Sequence, residues 1–235
     1  MTSKRSHAIW ILAGLLVAST PAWAQRGTYE RDGAFRLHLG TFQPEGDSEY
    51  WDDKFADFTG EIDDFENVSF GADYLLSLNR NFGLLFSGNH YSGDQTQSYI
   101  DFVDNFGNDI RHDTTLEVTS LTAGVQFSFL GPNAPIIPYA GAGGGLYLWT
   151  LQEDGDFIDF GPGDDEIFNA LLESEGEAFG YYWLVGLEAP ITHRISVFGE
   201  ARWTRADDEL DGDLENQGDI DLSGREFVAG ISWNL

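Results

Sequence analysis

The chain has 235 residues, no cysteine, 40 Asp and Glu against 12 Lys and Arg, and a formal net charge of −28. That balance excludes a nucleic-acid partner, which needs a basic footprint, and it excludes docking on anionic lipid through a basic patch. Without disulfides, an exported domain must be held by its hydrogen-bonded sheet and not by covalent staples.

Residues 1–24 read as a signal peptide. Lys4 and Arg5 supply the positive start, Ile9 to Val17 a short apolar run, and Ala22-Trp23-Ala24 a small-x-small cleavage site. A membrane-spanning helix needs roughly 20 apolar residues, and this run is shorter and stops at Pro21. Cleavage would leave Gln25 at the head of a 211-residue mature chain, with the net charge at −30 once two cations are gone. Residues 25–33 then form a lead-in, and residues 34–235 one β domain.

Eight segments alternate apolar and polar residues with the period of a strand. They are Ala34–Phe42, Val68–Leu78, Phe82–Tyr91, Leu116–Phe129, Ile137–Leu151, Ala178–Ala189, Ile195–Arg205 and Leu222–Leu235. In the sixth, Phe179, Tyr181, Trp183, Val185 and Leu187 oppose Gly180, Tyr182, Gly186 and Glu188. The connections alternate short and long. Asn79-Arg80-Asn81, Gly131-Pro132-Asn133 and Pro190-Ile191-Thr192 are tight turns, whereas 43–66, 93–114, 152–177 and 206–221 read as long loops. Those four loops hold 33 of the 40 acidic residues, so the acidic mass lies at one end. Short turns at one end and long loops at the other are the rhythm of an eight-stranded antiparallel transmembrane β-barrel.

Within the loops, Trp51, Phe55, Phe58, Ile62 and Phe65 recur at helical spacing, as do Tyr99, Phe102, Val103 and Phe106, and Ile167, Phe168, Leu171 and Leu172. The spacing predicts short amphipathic helices. Their apolar faces either pack together to cap the barrel or form a patch for a partner.

Counting back from the end, Leu235, Trp233, Ile231, Ala229 and Phe227 fall on one face of the last strand. Here, and in the stretch Pro138-Tyr139-Ala140-Gly141-Ala142-Gly143-Gly144-Gly145-Leu146, the chain resembles the OmpA/OmpW-type small outer-membrane β-barrels of Gram-negative bacteria. Their final strand usually ends in an aromatic residue, where this chain has Leu235. The resemblance implies insertion by the barrel assembly machinery through that strand and residence in the cell outer membrane as a monomer. It also implies periplasmic termini and extracellular long loops. A soluble barrel of lipocalin type would turn its apolar face inward around a ligand. Against that, the face opposite the aromatics is polar, and Phe82, Tyr139, Trp149, Trp203 and Trp233 lie near strand ends, where membrane barrels place interfacial girdles.

An eight-stranded barrel is just narrow enough to be filled by side chains. Strand parity turns Arg36 and Arg202 inward with Asp73, Glu188, Glu200 and Glu226, and buried charges persist only when paired. These six residues are therefore expected to form a lumen ion-pair network, acting either as a gate or as a fixed plug. Arg205 and Arg225 fall outward at the rim of adjacent strands, where arginine suits the phosphates of lipopolysaccharide. Asp213, Glu215, Asp219 and Asp221, with Gly218, follow the spacing of a calcium loop, so Ca2+ is a candidate ligand there. The twelfth position is Gly224 in place of the bidentate Glu. No other cofactor is expected.

His90 and Ser92 share a strand face, as in the His-x-Ser pair of outer-membrane lipid A deacylases, but Gly93 follows where that family has Asn. The chain thus reads as a non-enzymatic barrel with a structural or surface-interaction role, its acidic loops binding divalent cations or lipopolysaccharide. The alternatives are an OmpW-like channel for small hydrophobic molecules and a lipid A-modifying hydrolase.

Overall fold

The computed structural model describes residues 32–160 and 166–235. The signal-peptide segment and the lead-in before Asp32 lie outside the described residues. In chain order come β1 (Gly33–Pro44), helix α1 (Glu49–Asp57), a 3-10 turn (Ile62–Phe65), β2 (Asn67–Ser77), β3 (Phe82–Val103), β4 (Asp109–Ser128) and β5 (Ile137–Asp159). β6 (Glu166–Pro190), β7 (Ile195–Arg205), β8 (Asp207–Glu209), a second 3-10 turn (Gly212–Leu214), β9 (Asp219–Asp221) and β10 (Gly224–Asn234) follow. Eight strands close an antiparallel barrel in the order β1-β10-β7-β6-β5-β4-β3-β2, and β8 and β9 form a separate ribbon.

The alternation sets the two faces. At the closing seam Phe35 pairs with Trp233 and Leu37 with Ile231 on the outside, while Arg36 pairs with Ser232 on the inside. Outward apolar side chains stay exposed, Leu39 at 65% and Phe179 at 83%, because lipid and not protein is their partner. On β6 this belt runs from Phe179 to Leu187. Nine residues at about 3.3 Å each, tilted by about 40°, make a band about 23 Å tall, close to the roughly 25 Å apolar band of an outer-membrane barrel. No described helix is long and apolar enough to cross a membrane.

The tight turns form where expected, and polar side chains close them. Asn79 Oδ1 accepts from the amides of Asn81 and Phe82, and Thr192 Oγ1 from those of Arg194 and Ile195. Such side-chain bonds stand in for the missing ladder.

The long loops differ from the sequence reading. Segments 93–114 and 152–177 are mostly strand: β3 pairs with β4 from Phe82 to Ser98 and, after a register shift, again at Val103–Asp109, and β5 pairs with β6 as far as the Asp159–Glu166 pair. Ile167–Leu172 is therefore not helical, because cross-strand pairing supplies backbone partners that a short isolated helix would lack, and Tyr99–Phe106 is not helical either, forming the end of β3 and the turn that follows it. The result is a four-stranded wall, β3 to β6, rising well past the belt. The helical reading holds for 51–65. α1 and the first 3-10 turn lie against the wall's concave face together with the β8–β9 ribbon. Tyr50, Trp51, Phe65, Leu116, Trp149, Leu151, Leu214 and Ile220 join there in one buried apolar cluster, a roof over the lumen. Tyr139 and Trp149, expected in the girdles, are instead 2% and 3% exposed and point inward, Tyr139 into the lumen and Trp149 into the roof.

The wall has two edges that the barrel leaves without a neighbouring strand, and unpaired edges invite unwanted pairing. On the β3 side the edge is occupied: the Thr59 amide donates to Ser98 O at 2.8 Å, and Phe58 bridges to Tyr99. On the β6 side, the Asp213 carboxylate accepts from the Glu173 amide at 3.3 Å, and Ser174 Oγ from the Asp211 amide at 2.9 Å.

Candidate functional site

The lumen at belt height is filled by buried polar side chains packed against an apolar cluster that includes Ala34, Leu75, Leu85 and Leu184. Arg36, fully buried on β1, donates from Nη2 to Glu188 on β6 and from Nη1 to Gln126 on β4, both at 3.0 Å. Its guanidinium lies 5.2 Å from the centre of the Tyr139 ring and 5.1 Å from that of Phe198. The Tyr139 hydroxyl donates to Glu200 Oε2 at 3.1 Å, and Glu200 Oε1 takes a fork from Arg202 at 3.2 and 2.9 Å. Arg202 also stands 3.8 Å from both Asp73 and Glu226. Asp73 is 3.5 Å from His38 Nε2, while Glu226 accepts from Ser69 Oγ at 2.5 Å and Asn89 Nδ2 at 2.6 Å.

Arginine suits this place because it stays charged and its planar fork reaches several acceptors at once. Glycine gives the rings room: a Cβ at Gly143 would stand 2.8 Å from the Tyr182 ring. Among the described residues, cavities flank this packing at both ends. One of about 250 Å3 opens at the turn end between Asp32, Leu75, Arg80, Phe82, Gln126 and Ile137. The other, of about 30 Å3, lies under the roof beside Tyr147, Tyr182, Arg202 and Glu226. The Arg36–Gln126–Glu188 contacts and the Glu200–Arg202 pair lie between them.

His38, Ser69, Asn89 and Gln126 take part in this network without having been singled out in the sequence, and Tyr139 joins it in place of the girdle position expected for it. All five share the inward phase of their strands, so the parity that picked out the charges also marks them.

The roof holds a second buried polar group. Lys54 of α1, 4% exposed, donates to Glu153 Oε1 at 2.5 Å and stands 2.8 Å from His112 Nε2. The Tyr50 hydroxyl donates to the same carboxylate at 2.6 Å. The Phe58 ring covers the ammonium at 4.7 Å, and Phe157 stacks on His112 at 5.1 Å. Burial and the adjacent Lys54 charge pull His112 down to about 4. Burial and the Glu153 carboxylate push the Tyr50 hydroxyl well above the usual phenol range. Sequence reasoning passed over this cluster, although Lys54 is the only lysine beyond Lys4.

The remaining candidates are scattered. Arg205 is ion-paired with Glu45, and Arg225, opposite Trp203 and Gln43, is exposed. Of the calcium-loop residues, Asp221 is turned inward to accept from the amides of Asp47 and Ser223, and Asp213 holds the Glu173 amide. Among the described residues no three His, Asp or Glu side chains converge to hold a metal. The His90 ring bonds Thr119 Oγ1 at 2.9 Å, and Ser92 lies opposite Glu117 on the outward face.

The family model for the outer membrane protein beta-barrel domain matches residues 10–234. No curated protein matches the chain. The structure of the outer membrane protein OprG from Pseudomonas aeruginosa aligns with a TM-score of 0.51 at 12% identity, covering 87% of this chain and 97% of that one. A major outer membrane protein from Thermus thermophilus gives 0.51 at 9% identity, covering 86% and 99%. At such identities the likeness concerns the fold alone.

Proposed function

The chain belongs to the outer membrane protein β-barrel family, and on that premise we propose that it is a closed, non-enzymatic barrel whose work is done by the projecting wall. The observation that carries this reading is the unbroken set of lumen contacts from Gln126 through Arg36 to Glu188, and from Tyr139 through Glu200 and Arg202 to Asp73 and Glu226. Breaking a buried pair leaves an unpaired charge and costs about 3–5 kcal/mol, so the plug opposes opening. In this reading the tight turns and both termini face the periplasm and the wall stands outside the cell.

His90 and Ser92 have no part in it. Their outward neighbours are Thr119 and Glu117, and a nucleophilic serine needs a base that hydrogen-bonds to it, whereas the His90 ring bond is to Thr119. The rim arginines add a lipid role: Arg225, with Arg205 beside Glu45, holds a lipopolysaccharide phosphate. Unchanged lipopolysaccharide co-purification after Arg205→Ala and Arg225→Ala together would refute that part.

The central test is conductance of the refolded mature chain in a planar bilayer. The closed barrel is expected to be silent. Discrete conductance steps from the wild type would overturn the reading in favour of a channel.

A further inference from the structure

The β6 edge of the wall is covered only in part. Asp213 and Ser174 engage the loop 206–221 at residues 173 and 174. Beyond that point, from Glu166 to Leu172, β6 has β5 on one side and no backbone partner on the other among the described residues. The opposite edge of the wall is occupied by Phe58 and Thr59. The β6 segment is thus an open strand edge among the described residues.

Its side chains are unusual for an exposed edge. Ile167, Phe168 and Leu171 are 38%, 44% and 57% exposed. Natural edges are blunted by lysine, proline or bulges, and Glu166–Leu172 contains none of these. The surrounding charge is of one sign. Glu166, Glu173, Glu175 and Glu177 lie on β6, and Asp154, Asp156 and Asp159 on the paired strand. The nearest β4 cation, Arg111, is already bound to Asp109 at 2.8 Å.

We infer that the Glu166–Leu172 edge of β6 is a docking site for a cationic amphipathic polypeptide segment, bound by strand addition. This rests on the surface-acting reading above. Main-chain hydrogen bonds would supply affinity, and alternate side chains specificity. Ile167 and Leu171 share one face of β6 with Glu173, so apolar residues of the added strand would cover Ile167 and Leu171 and a lysine or arginine farther along the same face would meet Glu173. A second copy of the chain is a poor occupant, because like charges set opposite each other across strands destabilise pairing.

The test uses the full mature chain in zwitterionic nanodiscs and a fluorescent twelve-residue peptide, valine-rich in one half and lysine-rich in the other, with empty nanodiscs as the blank. Saturable binding is expected, weakening at least about tenfold when alternate peptide amides are N-methylated, since that removes ladder donors. The same peptide with glutamate in place of lysine is expected not to bind. Leu171→Lys and, separately, Ala170→Pro are each expected to weaken binding at least tenfold, with the folded barrel verified by circular dichroism. Equal binding of the N-methylated peptide, equal binding to both variants, or self-association that buries this edge would overturn the inference. Conductance of the same sample separates the two failures. A silent barrel that ignores the peptide sinks only the docking site, whereas a conducting one sinks the closed-barrel reading.

Discussion

Lys54 and Glu153 stand 99 residues apart in the chain and meet at 2.5 Å in the roof, each almost wholly buried. The pair pins α1 to β5. Replacing Glu153 by Gln keeps the shape but leaves the ammonium without its carboxylate. The expected cost is about 3–5 kcal/mol of roof stability, enough to speed α1 amide exchange at least about a hundredfold at tenfold per 1.4 kcal/mol. Hydrogen exchange by mass spectrometry checks it. Unchanged protection of residues 49–57 would mean that apolar packing alone holds the roof.

Amine chemistry offers a direct readout of the same contact. After loss of residues 1–24, Lys54 would be the only side-chain amine, and at 4% exposure it is shielded. An amine-acylating reagent is expected to modify the α-amino group of folded protein and spare Lys54, and to reach Lys54 in Glu153→Gln. Rapid labelling of Lys54 in the wild type would show that the roof opens freely.

The roof should also weaken in acid. His112 sits beside Lys54, Glu153 and Asp113 and titrates near 4, below its ordinary 6.5, chiefly through burial. Between those values the unfolded roof binds more protons than the folded one, so stability is full above pH 6.5 and falls as the pH drops toward 4. The slope from this group is at most about 1.4 kcal/mol per pH unit. His112→Gln is expected to flatten the exchange of α1 amides across that window, and an unchanged pH profile would exclude His112 as the source.

In the lumen, Arg202→Ala leaves Asp73, Glu200 and Glu226 facing one another without their shared cation. The variant is expected to unfold at lower denaturant, by about 3–5 kcal/mol, yet to stay silent in a bilayer, because Arg36 with Gln126 and Glu188 still closes the barrel nearer the turn end. Conductance in Arg202→Ala alone would make Arg202 the gate.

Much of the barrel was legible because its signal is local. Side chains alternate with a period of two, so Phe179 to Leu187 declares one face and Tyr182 to Glu188 the other, whatever the register. The same parity placed Arg36, Asp73, Glu188, Glu200, Arg202 and Glu226 on inward-facing positions. Strand length was less legible. Above the belt the outward residues turn polar, as at Glu117, Glu175 and Glu177, and the alternation that marks a strand disappears although the ladder continues.

By itself, then, the sequence determined the two-faced strands, the tight turns and the acidic loops, since each follows from a residue's own neighbours, and the count of eight strands pointed to a closed barrel. Only the tertiary structure decided which charges touch, how far β3 to β6 project, and that Lys54 meets Glu153 and His112. Those outcomes depend on pairing register and on chain segments about a hundred residues apart, where contact energy is set by geometry that no local pattern encodes.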